Sequence, residues 1–238
     1  MSDGLQRRLV HQASAPYRPA GRWAWHFARG KLSNDPVFAA LLRPGLLPAS
    51  GRYLDLGCGQ GLLASWLQAA ATLHARQDWP VEQAAPPRIS AYHGLDMQAA
   101  AIRYAHLALA DCDFSVRLDL GDLRDFALPG ADVITLFDVL HYLPDSAQEG
   151  LLQRIRSSLS PNGRLLLRVG DGAAGLPHRL SRVVDSLVVR VQGGAWPQLH
   201  CRPATEWQAL LGDLGFRVEP CPMAGAGFAN VLLSAFPN

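Results

Sequence analysis

The chain contains one lysine, Lys31, against 21 arginines, and only four cysteines in 238 residues. Cys58, Cys112, Cys201 and Cys221 are widely spaced and form no CxxC pair, which argues against both a zinc site and a disulfide framework. Reduced thiols are expected. No run of about eighteen uninterrupted apolar residues is present, the minimum for a membrane-spanning helix. Met1 to Val10 lacks the basic-then-apolar layout of a secretion signal. The expectation is a cytoplasmic chain without stable membrane insertion. Charge of one sign is also scarce: 22 basic and 20 acidic residues leave a formal charge of +2, too little to draw the whole molecule onto a phosphate backbone. No nucleic-acid partner is expected. The excess of arginine over lysine reads better as compositional bias than as a device for gripping anions.

What is present is apolar and alternating. At 49% hydrophobic residues the chain can fill the core of one large α/β domain. From Gly51 onward, short β-rich runs alternate with longer amphipathic segments, the pattern of a doubly wound, Rossmann-like sheet. Strands are predicted at Arg52 to Leu56, Ile89 to Leu95, Phe114 to Leu120, Asp132 to Phe137 and Arg164 to Val169. Phe216 to Pro220 and Asn230 to Phe236 complete seven; the Gly- and Ala-rich Met223 to Gly227 is too short for a crossover helix, so the last strand must run antiparallel. Apolar spacing predicts helices from Leu62 to Leu73, around Ile102 to Leu109, from Ser146 to Leu159, from His178 to Val191 and from Thr205 to Leu214. Ser160-Pro161-Asn162-Gly163 reads as a turn that stops the third of these. Residues 1 to 50 carry no strand pattern. Prolines at 16, 19, 36, 44 and 48 suggest an irregular, partly helical lid segment before a domain spanning 51 to 238, which has an insert at about 171 to 200.

Chemistry concentrates at the ends of the predicted strands. Asp55-Leu56-Gly57-Cys58-Gly59-Gln60-Gly61 follows the first strand and opens a helix. Glycines at 57 and 59 permit a tight turn and close backbone approach to a ligand, and Gly61 permits close helix-to-strand contact. The alternative is an ordinary tight turn. At the end of the second strand, Gly94-Leu95-Asp96-Met97 offers a carboxylate able to accept two hydrogen bonds from a ribose diol. A helix cap is its plain alternative. Asp96 lies 35 residues after Gly61, more than a compact unit needs, and proline-rich residues 76 to 88 read as the loop responsible. Gly121-Asp122-Leu123 follows the third strand, where Asp119 and Asp125 compete for attention with Asp122. The fourth strand runs into Phe137-Asp138 and then His141 and Tyr142, at the carboxyl edge where open α/β sheets bind ligands.

The GxGxG spacing, preceded by an acidic residue, resembles motif I of class I S-adenosylmethionine-dependent methyltransferases, and the resemblance extends over about residues 50 to 236. It implies a seven-stranded sheet with a reversed last strand, S-adenosyl-L-methionine as cofactor and a small-molecule acceptor. The implied cofactor-binding residues are Asp55, Gly57, Cys58, Gly59, Gly61, Asp96, Met97, Asp122, Leu123, Phe137 and Asp138, with Asp122 beside the adenine amine and Leu123 against the ring. Ala28 to Leu32 and Asp35 to Phe38 also resemble methyltransferases of bacterial aryl-polyene pigment clusters.

In-line methyl transfer mainly needs positioning. For an aromatic or carboxylic metabolite a base can also be required, and His141 is the candidate. A space-filling or capping histidine is the alternative. Trp23, Trp25, His26, Tyr142, Arg168 and Trp196 are the candidate acceptor-binding residues. Asp138 and Asp171 are too sparse a pair to imply a metal. Two other functions fit the same strand logic: a catalytically silent cofactor-binding scaffold, and a nicotinamide-dependent dehydrogenase. The latter would require GxGxxG and a Tyr/Lys donor pair, and Lys31 stands outside the sheet region. The oligomeric state is left open.

Overall fold

A computed structural model describes residues 1 to 170, 200 to 221, 223 and 230 to 238. Seven strands form one sheet: β1 (Ser50–Leu56), β2 (Arg88–Asp96), β3 (Ser115–Leu120), β4 (Ala131–Phe137), β5 (Leu159–Gly170), β6 (Phe216–Cys221) and β7 (Asn230–Pro237). Their order is β3-β2-β1-β4-β5-β7-β6, and β7 alone is antiparallel to its neighbours β5 and β6. The expected Rossmann-like sheet with its reversed last strand is therefore what the chain builds. Because the order reverses between β1 and β4, the loops leaving these strands diverge at the carboxyl edge, where open α/β sheets bind ligands.

The period-2 alternation of each strand divides the core into two layers. Tyr53, Val133, Leu166 and Leu232 enter one layer; Leu54, Ile134, Leu165, Leu167 and Leu233 enter the other. The first is covered by α1 (Asp3–Ser14), α2 (Arg22–Asn34), α3 (Pro36–Leu41), α4 (Leu62–Ala75) and α5 (Ala99–Ala108), the second by α6 (Asp145–Ser158) and α7 (Ala204–Asp213).

Two sequence expectations need correction. The N-terminal fifty residues are more regular than their prolines suggest, because Pro19, Pro44 and Pro48 fall between elements, while Pro16 and Pro36 sit in the first turn of a 3₁₀ helix and of α3, where the missing N–H costs nothing. Leu5, Leu9, Tyr17, Ala28 and Leu32 are buried in the first layer. The strand after α6 also begins earlier than predicted. Leu159 pairs with Ala131, whereas Val133 pairs with Arg164, so Ser160 to Gly163 bulge out of the ladder instead of preceding it. The proline-rich detour from Arg76 to Pro87 has neither helix nor strand and delivers the chain to the amino end of β2, as expected of an extruded loop. The predicted helix from His178 to Val191 and most of the insert at 171 to 200 lie outside the described residues.

Candidate active site

The glycine loop leaves β1 and turns back on β2. The N–H groups of Gly57 and Cys58 both donate to the Leu95 carbonyl, at 2.8 and 3.0 Å, and the N–H of Gly61 donates to Cys58 at 2.9 Å. Gly57, Gly59 and Gly61 all have positive φ, at 77°, 55° and 74°. Their surroundings differ. A Cβ at Gly57 would lie 2.3 Å from Val139 Cγ2, whereas one at Gly59 would meet nothing within 4 Å. Gly59 is thus the point where the loop's backbone faces open space. Gly61 does allow a close approach, but to Ala105 and Leu109 at the end of α5, not to a strand as expected.

Asp96 binds this loop to the end of β2. Its Oδ2 accepts the Gly59 N–H and its Oδ1 accepts the Gln98 N–H, each at 2.8 Å. It is more than a solvated helix cap, since burial raises its carboxyl above the usual range despite those backbone donors. Each oxygen keeps a further lone pair for a diol. Met97 is exposed immediately beyond it.

Asp55 lies deeper. Its Oδ1 accepts the Thr135 hydroxyl and its Oδ2 the Tyr92 hydroxyl, each at 2.7 Å, and burial pushes its carboxyl up to about 6. Sequence reasoning missed both partners, although the register held a signal: Asp55 pairs with Thr135 on β4 and with Gly94 on β2, two residues beyond Tyr92 on the same face. Gly94 has no side chain, and a Cβ there would lie 2.8 Å from Cys58 Sγ, so the buried Cys58 and the Tyr92 ring occupy that space.

Asp122 is gripped by its neighbour Arg124 through the guanidinium and the backbone N–H, which holds its carboxyl below the ordinary range. Arg154 of α6 donates to the carbonyls of Leu123 and Arg124 and so fixes the loop from below. The Leu123 side chain is buried in the second layer.

At the end of β4, Phe137 is half-buried and Asp138 adopts φ 57°, the left-handed conformation that aspartate tolerates better than most residues. Arg168, expected to line an acceptor pocket, lies beside Asp138 at this edge. Arg168 is 4% exposed and each of its three guanidinium nitrogens donates a hydrogen bond: Nε to Asp138 at 2.9 Å, one terminal nitrogen to Asp35 at 2.5 Å, and the other to Asp138. Two carboxylates compensate one buried cation, and Lys31 pairs with Asp35 at 2.8 Å. The network ties the start of α3 to the carboxyl edge of the sheet.

His141 follows in a 3₁₀ turn, Leu140–Tyr142, with its ring 4.2 Å from that of Tyr142. It is 5% exposed, and its Nε2 has no hydrogen-bond partner among the described residues. Burial lowers its pKa, against a smaller opposing pull from Asp138, so the neutral imidazole persists below the ordinary histidine range.

The aromatic residues of α2 sit elsewhere. Trp23, 54% exposed, stacks on Phe27 at 5.3 Å and leans on Tyr104 of α5 at 6.1 Å. Trp25 lies between Arg18 and Arg29, 5.5 and 5.8 Å from their guanidiniums, and its ring is 4.6 Å from that of the exposed His26. Trp23 thus borders α5, whereas His141 and Tyr142 form a separate pair. Trp196 and Asp171 lie outside the described residues. Two grooves of about 220 Å³, one beside α5 and β3 and one at the amino ends of β1, β2 and β3, touch none of the glycine loop. The chemistry, not the hollows, locates the site.

A family model described as a methyltransferase domain matches residues 24 to 220. Demethylspheroidene O-methyltransferase of Rhodobacter capsulatus is 43% identical over 132 residues, which are 54% of this chain and 32% of that protein. Carboxy-S-adenosyl-L-methionine synthase of Actinobacillus succinogenes is 28% identical over 137 residues, 57% of this chain and 51% of that one. The chain thus spans about a third to a half of the length of these curated relatives. Among solved structures, the DhpI–SAH complex superposes with a TM-score of 0.59 at 20% identity, covering 100% of this chain and 99% of that one.

Proposed function

Because the chain belongs to the methyltransferase domain family, we propose that it transfers the methyl group of S-adenosyl-L-methionine to a hydroxyl oxygen of a small acceptor. The nicotinamide-dehydrogenase alternative gives way to the family match.

The residues fit the cofactor. The backbone at Gly59 offers a surface without a side chain, Asp96 beside it has lone pairs for the ribose hydroxyls, and exposed Met97 can cover the sugar. Asp122 and Leu123 would border the adenine. Asp55 shapes the loop from within the sheet by anchoring Tyr92 and Thr135. The bound cofactor supplies an electrophilic methyl on a sulfonium, so the protein must supply alignment and a place for the acceptor's proton.

The observation that carries the oxygen assignment is the buried Nε2 of His141, unpartnered among the described residues. A neutral imidazole in that state accepts a proton from an O–H group brought beside it. An aromatic hydroxyl needs that help at neutral pH; a carboxylic acid, already ionised, does not. We therefore favour the aromatic over the carboxylic acceptor. The O-methyltransferase name of the Rhodobacter capsulatus relative supports the same choice. Tyr142, tilted against the imidazole, would limit how the acceptor enters. Trp23 would act from the α5 side, with Trp25 and His26 on the same helix, α2. Four free thiols support a reducing, cytoplasmic setting.

Two measurements test this reading. Calorimetry with S-adenosylhomocysteine should give a one-site isotherm; uptake of a nicotinamide nucleotide in its place would overturn it. With phenolic, carboxylic and amine acceptors followed by product mass, the phenols should be methylated. His141→Ala should lower that turnover by about 10² or more while leaving cofactor affinity near the parent's, and equal turnover would remove His141 from the mechanism.

A further inference from the structure

Gln148 on α6 is 0% exposed, yet it is polar and lies among leucines. A buried amide persists in such a place only if its hydrogen bonds are met. Its Nε2 faces three backbone carbonyls, those of Leu140 at 3.1 Å, Leu143 at 3.0 Å and His200 at 3.0 Å. The two N–H groups serve three acceptors, so at least one is shared. Its Oε1 accepts from Nε of Arg202 at 3.1 Å, and Arg202 is held in turn by Glu149 at 2.8 Å. The amide cannot be turned over: a flip would press Oε1 against three carbonyl oxygens and aim N–H groups at a guanidinium.

The carbonyls it holds bracket His141. Leu140 and Leu143 are the two ends of the turn that presents the imidazole, and His200 is joined to the same turn a second time, its N–H donating to the His141 carbonyl at 2.9 Å. The backbone on either side of the imidazole is thus tied through one side chain to the residue where the chain returns toward α7. Among the described residues nothing bonds the imidazole at Nε2, so packing and this backbone anchorage set its place.

We propose that Gln148 is a positioning residue for the transfer edge: its amide locks the turn Leu140 to Leu143, and with it the His141 imidazole, to His200. The proposal rests on the reading that His141 serves the acceptor, but its test does not need the acceptor. With histidine-labelled protein, the His141 resonance is assigned by its loss in His141→Ala and followed across pH. In the parent it should titrate below the ordinary imidazole range. In Gln148→Met, which keeps length and loses both donors, the turn should open to water and the midpoint should rise toward the ordinary value near 6.5. S-adenosylhomocysteine affinity should stay within about threefold of the parent, because the glycine loop is untouched. Gln148→Asn, shorter by one methylene but still an amide, should give a smaller shift in the same direction, and it decides the matter if the Met variant does not fold. Parent-like titration of His141 in a folded variant would overturn the proposal. That outcome is separate from failure of the base assignment, which would show as full turnover in His141→Ala. Turnover of the methylated phenol should fall about tenfold or more in Gln148→Met, as expected when a reacting group shifts by a fraction of an ångström.

Discussion

Asp55 takes hydrogen bonds from two hydroxyls, but burial outweighs those donors and the negative charge of Asp96 adds to the lift, leaving its carboxyl at about 6. In the unfolded chain the same group releases its proton in the ordinary carboxyl range. The folded form therefore holds a proton the unfolded form has lost between those values. Its contribution to stability is full below about pH 4 and is lost as pH rises through about 6. Urea titrations of the parent and Asp55→Asn should diverge accordingly, the asparagine variant gaining on the parent between about pH 4 and 7. His141 runs the other way. Its lowered pKa means that stability from this group is present above the ordinary imidazole range and lost as pH falls through the depressed value. The acid limb of the turnover profile should accordingly lie below that of a free imidazole, and an acid limb above it would contradict the burial argument.

Within the elements, the glycine loop separates two roles that its spacing does not reveal. Gly57→Ala would force a Cβ to within 2.3 Å of Val139 in a left-handed backbone, so both stability and cofactor binding should fall. Gly59→Ala meets open space. Only the cost of a left-handed alanine, about 1–2 kcal/mol, should appear in its unfolding curve, while S-adenosylhomocysteine affinity should drop much further. Thermal melts with and without that ligand distinguish the two. Arg168→Met would leave Asp35 to Lys31 alone and half-exposed Asp138 without its cation, with an expected loss of about 1–3 kcal/mol measurable by urea unfolding, and faster proteolysis around α3. The strands were legible because apolar runs bounded by turn residues have few alternatives, and the loop motifs because glycine at fixed intervals after a strand is rarely incidental. Gln148, Tyr92 and Thr135 were not legible. Their roles depend on which residues the sheet register and the packing of α6 bring together, and no local pattern marks a buried amide or hydroxyl. The pairing of Arg168 was not legible for a related reason: the residue that helps neutralise it lies 133 positions earlier.

For the molecule as a whole, the N-terminal helices belong to the core. Leu5, Leu9 and Tyr17 are buried, the Tyr17 hydroxyl donates to the Gln60 carbonyl inside the glycine loop at 2.9 Å, and Ser65 donates to Ala13 at 2.7 Å. Burying each such apolar side chain contributes about 1.5–3 kcal/mol. Removing residues 1 to 20 should therefore yield protein that binds ANS and melts without a sharp transition, whereas a tightly folded remnant would mean that α1 is dispensable. The detour from Arg76 to Pro87 belongs to the opposite edge of the sheet from the glycine loop, and Val81 at its tip is 100% exposed. That separation offers an attachment point: a dye or affinity handle installed through Val81→Cys would sit on the face of the protein turned away from catalysis, free to report on tumbling or to tether the enzyme to a support while the carboxyl edge still faces solvent.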